Sequence, residues 1–301
     1  MPAPTLRRLL LASALGTGST PANRRALELA RRHGAALHVL HVLEPAESFA
    51  TVRERLRALL GQGPQSPEHV DDAVTRDARA RLAESFGHEH TPAGPVEVRV
   101  RSGTSAEQIT RYAADIDADL VIVGATGGET ARGVGTTAER VVRRVGRPAL
   151  VVRDAEAEPY VRVVVGVDFS DSSRHALQFA AALAPGSDIL AAHASDAVFE
   201  TRLRWSGASD PLLERYRAQV LDLLGQDLDG VIGELELGSA VVRASVRQGA
   251  PTKVLLELAA ITRAQLVVVG GAGAGGIEQL LLGSVATHVM REAPQDILVV
   301  P

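Results

Sequence analysis

A tandem of two open α/β units is the fold that the sequence predicts, on three observations. Short Val- and Leu-rich runs alternate with segments of helical apolar spacing, the pattern of a parallel sheet buried on both faces and crossed by helices. The pattern occurs twice, since Val98–Val123 (VRVRSGTSAEQITRYAADIDADLVIV) parallels Ala244–Val269 (ASVRQGAPTKVLLELAAITRAQLVVV). The spacings agree at independent places: Gly103 lies 21 positions before Gly124 as Gly249 does before Gly270, and Gly135 lies 16 before Val151 as Gly283 does before Val299. A chain of 301 residues accommodates two such units at about 100–200 residues per domain. The predicted units are residues 1–155 and 159–301.

Each unit reads strand, helix, strand, helix, strand, helix, strand, helix, strand, giving a five-stranded parallel sheet flanked by helices. The first strand at Arg7–Leu11 matches Val161–Val165, and the second at Ala36–Val42 matches Ile189–Ala194. In the second unit the strands are predicted near 161–167, 188–194, 241–246, 265–269 and 296–300. Ala176, Leu177, Ala180, Ala181 and Leu183 form one helical apolar stripe, and Val254, Leu255, Leu258 and Ala259 another. The stretches 44–95 and 195–240 are less regular. Within them Arg76–Phe86 and Leu212–Leu224 look helical, whereas Gly61–Pro67 and His88–Pro95 look like loops. The linker, Asp154–Pro159, is short. Arg7 and Arg8 before Leu9–Leu15 imitate a signal peptide, but the same register recurs inside the chain as a strand. The final strands, Pro148–Val152 and Asp296–Val300, would leave apolar sheet edges that need cover. They are expected to pair with each other, as an intrachain pseudo-dimer, or with another chain as a homodimer.

Composition narrows the function. Cysteine is absent, which removes disulfides, thiol catalysis and cysteine-bound metal. Net charge is −4 and aromatics are 3%, so neither a basic stripe nor a stacking platform for nucleic acid is present. No run approaches the roughly 20 apolar residues of a membrane span. A cytoplasmic protein without nucleic-acid or membrane partners is expected. Neither G-x-x-x-x-G-K-[ST] nor G-x-S-x-G occurs. His41 and His193 hold matching strand positions and read as packing against a helix. His88-Glu89-His90 reads as a solvated loop rather than a metal site.

In open α/β sheets, ligands sit beyond the carboxyl ends of the strands where strand order reverses. In the second unit those positions carry Asp168, in GVDFSDSS, and the glycine loop Gly270–Gly276 (GGAGAGG), followed by Gly283 and Ser284. A glycine loop lets backbone N–H groups converge on phosphate, and a helix N-terminus adds unpaired N–H groups. Asp168 would repel phosphate and belongs at the base or sugar end. Taken singly these residues read as a tight turn and a Ser cap. Gly271-x-Gly273-x-x-Gly276 also matches a dinucleotide fingerprint, but it follows the fourth strand instead of the first.

Gly270-x2-Gly273-x9-Gly283-Ser284, with Val-Gly-Val-Asp168, Gly249-Ala-Pro251 and the final Leu-Val-Val, resembles the universal stress protein family of the ATP-binding type, over nearly the whole chain. The resemblance implies a Rossmann-like, adenine nucleotide alpha hydrolase-like fold. It implies adenine contact near Val167 and Asp168 and phosphate contact at Gly270, Gly273, Gly283 and Ser284, with Ala194, Val269 and Val285 near the nucleotide. It implies ATP, with Mg2+, as cofactor and pairing of domains through the last strand. The family commonly has threonine where Ala286 stands. Expected is an ATP-binding regulatory protein of the stress response that acts through nucleotide-dependent conformation and partner binding. The alternatives are a nucleotide-independent interaction scaffold and a slow ATPase. AMP or a cyclic nucleotide is not distinguished from ATP.

The first unit lacks part of this set. Ala14 stands where Asp168 stands, and the loop Gly16–Thr20 is longer by about four residues. Gly124-x2-Gly127 is kept, but only seven residues separate Gly127 from Gly135-Thr136. The shorter loop is expected to displace the following helix N-terminus, leaving this unit as a packing partner with weak or no ATP binding.

Overall fold

The repeated run of apolar strands folds, in the computed structural model, into parallel ladders laid side by side. The structure describes residues 4–15, 20–44, 67–125, 134–153, 158–195, 202, 204–206, 209–271 and 282–301. Unit 1 contains β1 (Arg8–Ala12), α1 (Thr20–His33), β2 (Ala36–Leu43), α2 (Pro67–Phe86), the short strands β3 (His90–Thr91) and β4 (Gly94–Pro95), β5 (Glu97–Ser102), α3 (Ser105–Asp115), β6 (Leu120–Gly124), α4 (Thr136–Arg144) and β7 (Ala149–Val152). Unit 2 contains β8 (Arg162–Gly166), α5 (Asp171–Leu183), β9 (Asp188–Ser195), α6 (Asp210–Glu234), β10 (Val241–Gln248), α7 (Pro251–Thr262), β11 (Leu266–Gly270), α8 (Ser284–Glu292) and β12 (Asp296–Val300).

The described strands, apart from the β3–β4 hairpin, form one ten-stranded sheet in the order β10-β9-β8-β11-β12-β7-β6-β1-β2-β5. Within each unit's part of this sheet every pairing is parallel. The two five-stranded sheets are therefore not separate. They meet at β12 and β7, which pair antiparallel with Ile297 opposite Val151, Leu298 opposite Leu150 and Val299 opposite Ala149. The reason is local: both strands are buried along their whole length, and an open edge there would strand apolar side chains and backbone groups in water.

Helices cover both faces. On one side α1, α2, α5 and α6 bury residues such as Leu29, Phe86, Phe179 and Leu228 against Leu9, Leu150, Val165 and Leu298. On the other, α3, α4, α7 and α8 bury Ile109, Val141, Leu258 and Met290 against Leu10, Val151, Val164 and Val299. Each core layer runs across both units. The outer strands behave differently: β5 (EVRVRS) and β10 (VVRASVRQ) alternate half-buried and exposed positions, and their arginines mark charged sheet edges.

Several local expectations change. His90–Thr91 and Gly94–Pro95 form a small hairpin where a loop is predicted. The helices at Arg76–Phe86 and Leu212–Leu224 are longer, Pro67–Phe86 and Asp210–Glu234. The loops at 16–19 and 61–66 and most of the linker lie outside the described residues. Arg7–Leu15 leads into β1, whose Leu9, Leu10 and Leu11 are fully buried in mid-sheet. Among the described residues no helix is long and apolar enough to cross a membrane.

Candidate functional site

Strand order reverses between β8 and β11 in unit 2, and between β1 and β6 in unit 1. A crevice opens at each reversal because the neighbouring crossovers leave to opposite faces.

In unit 2 the buried Val167 extends β8 by donating its N–H to the Ala192 carbonyl (2.8 Å), which puts Asp168 just past the strand. Phe169 turns the chain in the left-handed region (φ 64°), and Ser170 caps α5 by accepting the Ser173 N–H (3.2 Å). Asp168 Oδ1 accepts from the Ser170 backbone N–H (3.1 Å) and from its hydroxyl. The carboxylate is thereby held at the crevice. Across it, Gly271 N–H donates to the Val300 carbonyl (2.6 Å), and Gly283 N–H donates to the Gly271 carbonyl (2.7 Å). These bonds fold the start of α8 back over the end of β11.

The result is a cavity of about 220 Å³ whose lining includes Val167, Asp168, Ala194, Val269, Gly270, Gly283, Ser284 and Val285. Eight of the nine residues singled out in the sequence thus converge; Gly273 lies outside the described residues. Its walls are apolar, its rim carries a carboxylate on one side, and a hydroxyl sits at a helix N-terminus on the other. Gly270 has a packing reason to lack a side chain, because a Cβ there would come within 2.6 Å of Ser172 Oγ on α5.

His193, Ser173, Pro251, Leu255 and Ala286 also line the cavity. His193 does not simply pack against a helix. Its Nδ1 lies 2.8 Å from the Val167 carbonyl, an acceptor only, so Nδ1 carries the proton; its ring meets that of Phe169 at a tilt of 47°, with centroids 4.6 Å apart. His41 makes the same bond to the Ser13 carbonyl (2.8 Å). These histidines pin the strand end that carries residue 168 or 14. The signal for them was present in the sequence, as the recurrence of His at one register in both units.

Unit 1 keeps its crevice. A cavity of about 290 Å³ is lined by residues including Ser13, Ala14, His41, Ser105, Gly135 and Thr137. The shorter loop does not displace α4: Gly135 N–H donates to the Ala125 carbonyl (2.6 Å), the counterpart of the Gly283–Gly271 bond. Gly135 and Gly283 precede their helices with nearly the same backbone, φ −64° and ψ 154° against φ −58° and ψ 156°. The strand-end hydrogen bond sets where the helix begins. What unit 1 lacks is the acid. Among the described residues no group of three acidic or histidine side chains could hold a metal ion.

The fold and the two crevices define the class: paired, doubly wound α/β units with a cavity at each reversal of strand order. The model of the universal stress protein family matches residues 5–153 and again 159–301, and the chain belongs to that family. A universal stress protein of Mycolicibacterium smegmatis is 27% identical over 294 residues, 94% of this chain and 92% of that protein. One from Mycobacterium bovis is 31% identical over 202 residues, 61% of this chain and 62% of the relative's length. The crystal structure of a universal stress protein from Archaeoglobus fulgidus superposes with a TM-score of 0.66 over 97% of both chains at 18% identity, a likeness of fold.

Proposed function

We propose that the protein is an ATP-binding regulatory protein of the stress response, with its nucleotide site in unit 2 (residues 159–301) and unit 1 (residues 1–155) as its structural partner. The observation that carries this reading is the convergence of Asp168, Gly270, Gly283 and Ser284 on one cavity at the strand-order reversal of unit 2. The donor set fits an adenine nucleotide. Val167, Ala194 and Val269 offer apolar faces to a base, and Asp168 accepts from an amine or hydroxyl. Ser284 and the N-terminus of α8 offer donors to phosphate. At about 220 Å³ the cavity is somewhat below the roughly 300 Å³ at which ligand pockets begin, so it suits base and sugar with the phosphates at the rim. Mg2+ would then be held chiefly by the phosphates.

Nucleotide would act by binding one conformation of the protein better than another, which shifts the surface seen by partners. Gly271 and Ser172 both hydrogen-bond the Val300 carbonyl, so β12 lies within two bonds of the site. The competing reading, a nucleotide-independent scaffold, draws on Gly270, whose lack of a side chain the contact with Ser172 already explains. Calorimetric titration with Mg-ATP decides between them. One site per chain, weakened at least tenfold by Asp168→Ala, supports the nucleotide reading. No heat, and no change in melting temperature with excess ATP, leaves the scaffold, since a ligand at 100 times its Kd adds about 2.7 kcal/mol. Phosphate release that Asp168→Ala abolishes would point to slow hydrolysis instead.

A further inference from the structure

We propose that the central interface is heterotypic by construction: a buried Arg25–Asp296 ion pair, closed by Tyr160, admits the pairing of unit 1 with unit 2 and rejects the pairing of either unit with its like.

The ladder itself cannot make that choice. Its backbone bonds are indifferent to sequence, and Ala149, Leu150 and Val151 facing Val299, Leu298 and Ile297 are interchangeable apolar side chains. Discrimination comes from one end of the ladder. Asp296, the first residue of β12, is fully buried, and Arg25 of α1 is 1% exposed. Asp296 Oδ1 accepts the Arg153 backbone N–H (2.7 Å), and Oδ2 accepts the Tyr160 hydroxyl (2.6 Å) with Arg25 Nε at 3.4 Å. The Arg25 guanidinium lies 4.1 Å over the Tyr160 ring and donates to the Glu158 carbonyl. The Arg25 guanidinium thus lies between Glu28 of its own helix (3.6 Å) and Asp296 of unit 2, where water is excluded.

The pseudo-symmetric positions carry neither a carboxylate nor a guanidinium. Val121 pairs with Ala149 as Val267 pairs with Ile297, so Pro148 is the counterpart of Asp296. Arg24-Arg25-Ala26-Leu27 corresponds to Arg174-His175-Ala176-Leu177, so His175 is the counterpart of Arg25. Pairing two copies of unit 1 would set each buried guanidinium against Pro148, with Glu28 of its own helix (3.6 Å) as its remaining carboxylate, and pairing two copies of unit 2 would set each buried Asp296 against His175 in place of a guanidinium, with the Tyr160 hydroxyl of its own unit as its remaining donor. A buried charge without its partner is strongly destabilising, whereas replacing both charges by apolar groups is often neutral, and marking the correct partner is the best-attested role of such pairs. The last-strand surface of each unit therefore fits the other unit, within one chain or exchanged between two copies, and not an edge-to-edge dimer of like units.

The test uses the full chain, unfolded in urea and refolded, with the unfolding midpoint and the light-scattering mass as readouts. Arg25→Gln and Asp296→Asn singly should each lower the midpoint by about 1 M, and together by clearly less than the sum. The apolar pair Arg25→Met with Asp296→Leu should regain most of the midpoint but refold into species of mixed and higher mass, because like units now pair and leave further edges open. Wild type should refold to one mass. Additive losses in Arg25→Gln and Asp296→Asn overturn the proposal, and this cycle decides even if the apolar variant stays insoluble. An apolar variant that refolds to the single wild-type mass also overturns it.

Discussion

The two cavities occupy the same place in the same fold and differ in what faces into them. Unit 2 presents Asp168, Val167, Pro251 and Val285; unit 1 presents Ala14, Ser13, Ser105 and Thr137 at the corresponding positions. The frame is common to both: a strand end pinned by a histidine, a helix start bonded back to the residue after the fourth strand, and an extended glycine before that helix. Frame and chemistry are therefore separable. A unit can lose its acid and keep its crevice, because the backbone bonds that hold the crevice open do not involve that side chain.

The comparison is broken most forcefully at the shared ladder. Leu150→Ala and Leu298→Ala remove fully buried side chains that face each other, and each should cost about 2–5 kcal/mol. Urea unfolding should stay a single transition for both, since each core layer spans both units; two resolved transitions would mean that the units are energetically separate.

The next effect lies in the acid. Asp168→Ala should weaken Mg-ATP about ten- to hundredfold, the worth of a charged hydrogen bond. Ala14→Asp sharpens the same point. If the acid is what unit 1 lacks, calorimetry of that variant should show a second, weaker site; unchanged stoichiometry would place the difference in Ser13, Ser105 and Thr137.

A smaller effect separates the two histidines. His41→Ala and His193→Ala should each cost about 1 kcal/mol, the net value of one hydrogen bond. Only His193→Ala should also change the ATP titration, and equal effects on ATP would argue against a site confined to unit 2.

The smallest effect is in pH. His33 Nε2 donates to the Leu183 carbonyl across the two units (3.0 Å), and burial lowers its pKa below the ordinary 6.5. Burial lowers His38 in the same direction. The unfolded chain therefore binds protons first as pH falls. The stability these groups contribute is whole above about pH 6.5 and declines as pH drops towards their lowered folded values. Melting temperatures measured between pH 7.5 and 5 should fall less steeply in His33→Asn than in wild type.

Much of this was legible in the sequence. Strand positions within a residue or two follow from apolar period and glycine spacing, because parallel strands are buried on both faces and glycine positions punctuate the turns; Asp168, Gly270, Gly283 and Ser284 stand out by place and spacing, whereas Val167, Ala194, Val269 and Val285 rest on the family resemblance. Gly270 was legible as a glycine but not in its reason, since Ser172, which its Cβ would strike, lies almost a hundred residues away in the chain. The placement of α4 was misread from loop length, because the bond from Gly135 to Ala125 overrides it.

By itself the sequence determined the repeat and the order of the main strands and helices, both local matters of period and residue type. Tertiary structure alone decided that β7 and β12 close into one ten-stranded sheet and that unit 1 keeps an open cavity. It also brought Arg25, Tyr160 and Asp296 together in the dry interior between the units. Those outcomes depend on which distant surfaces exclude water from each other, and no periodicity along a chain encodes that.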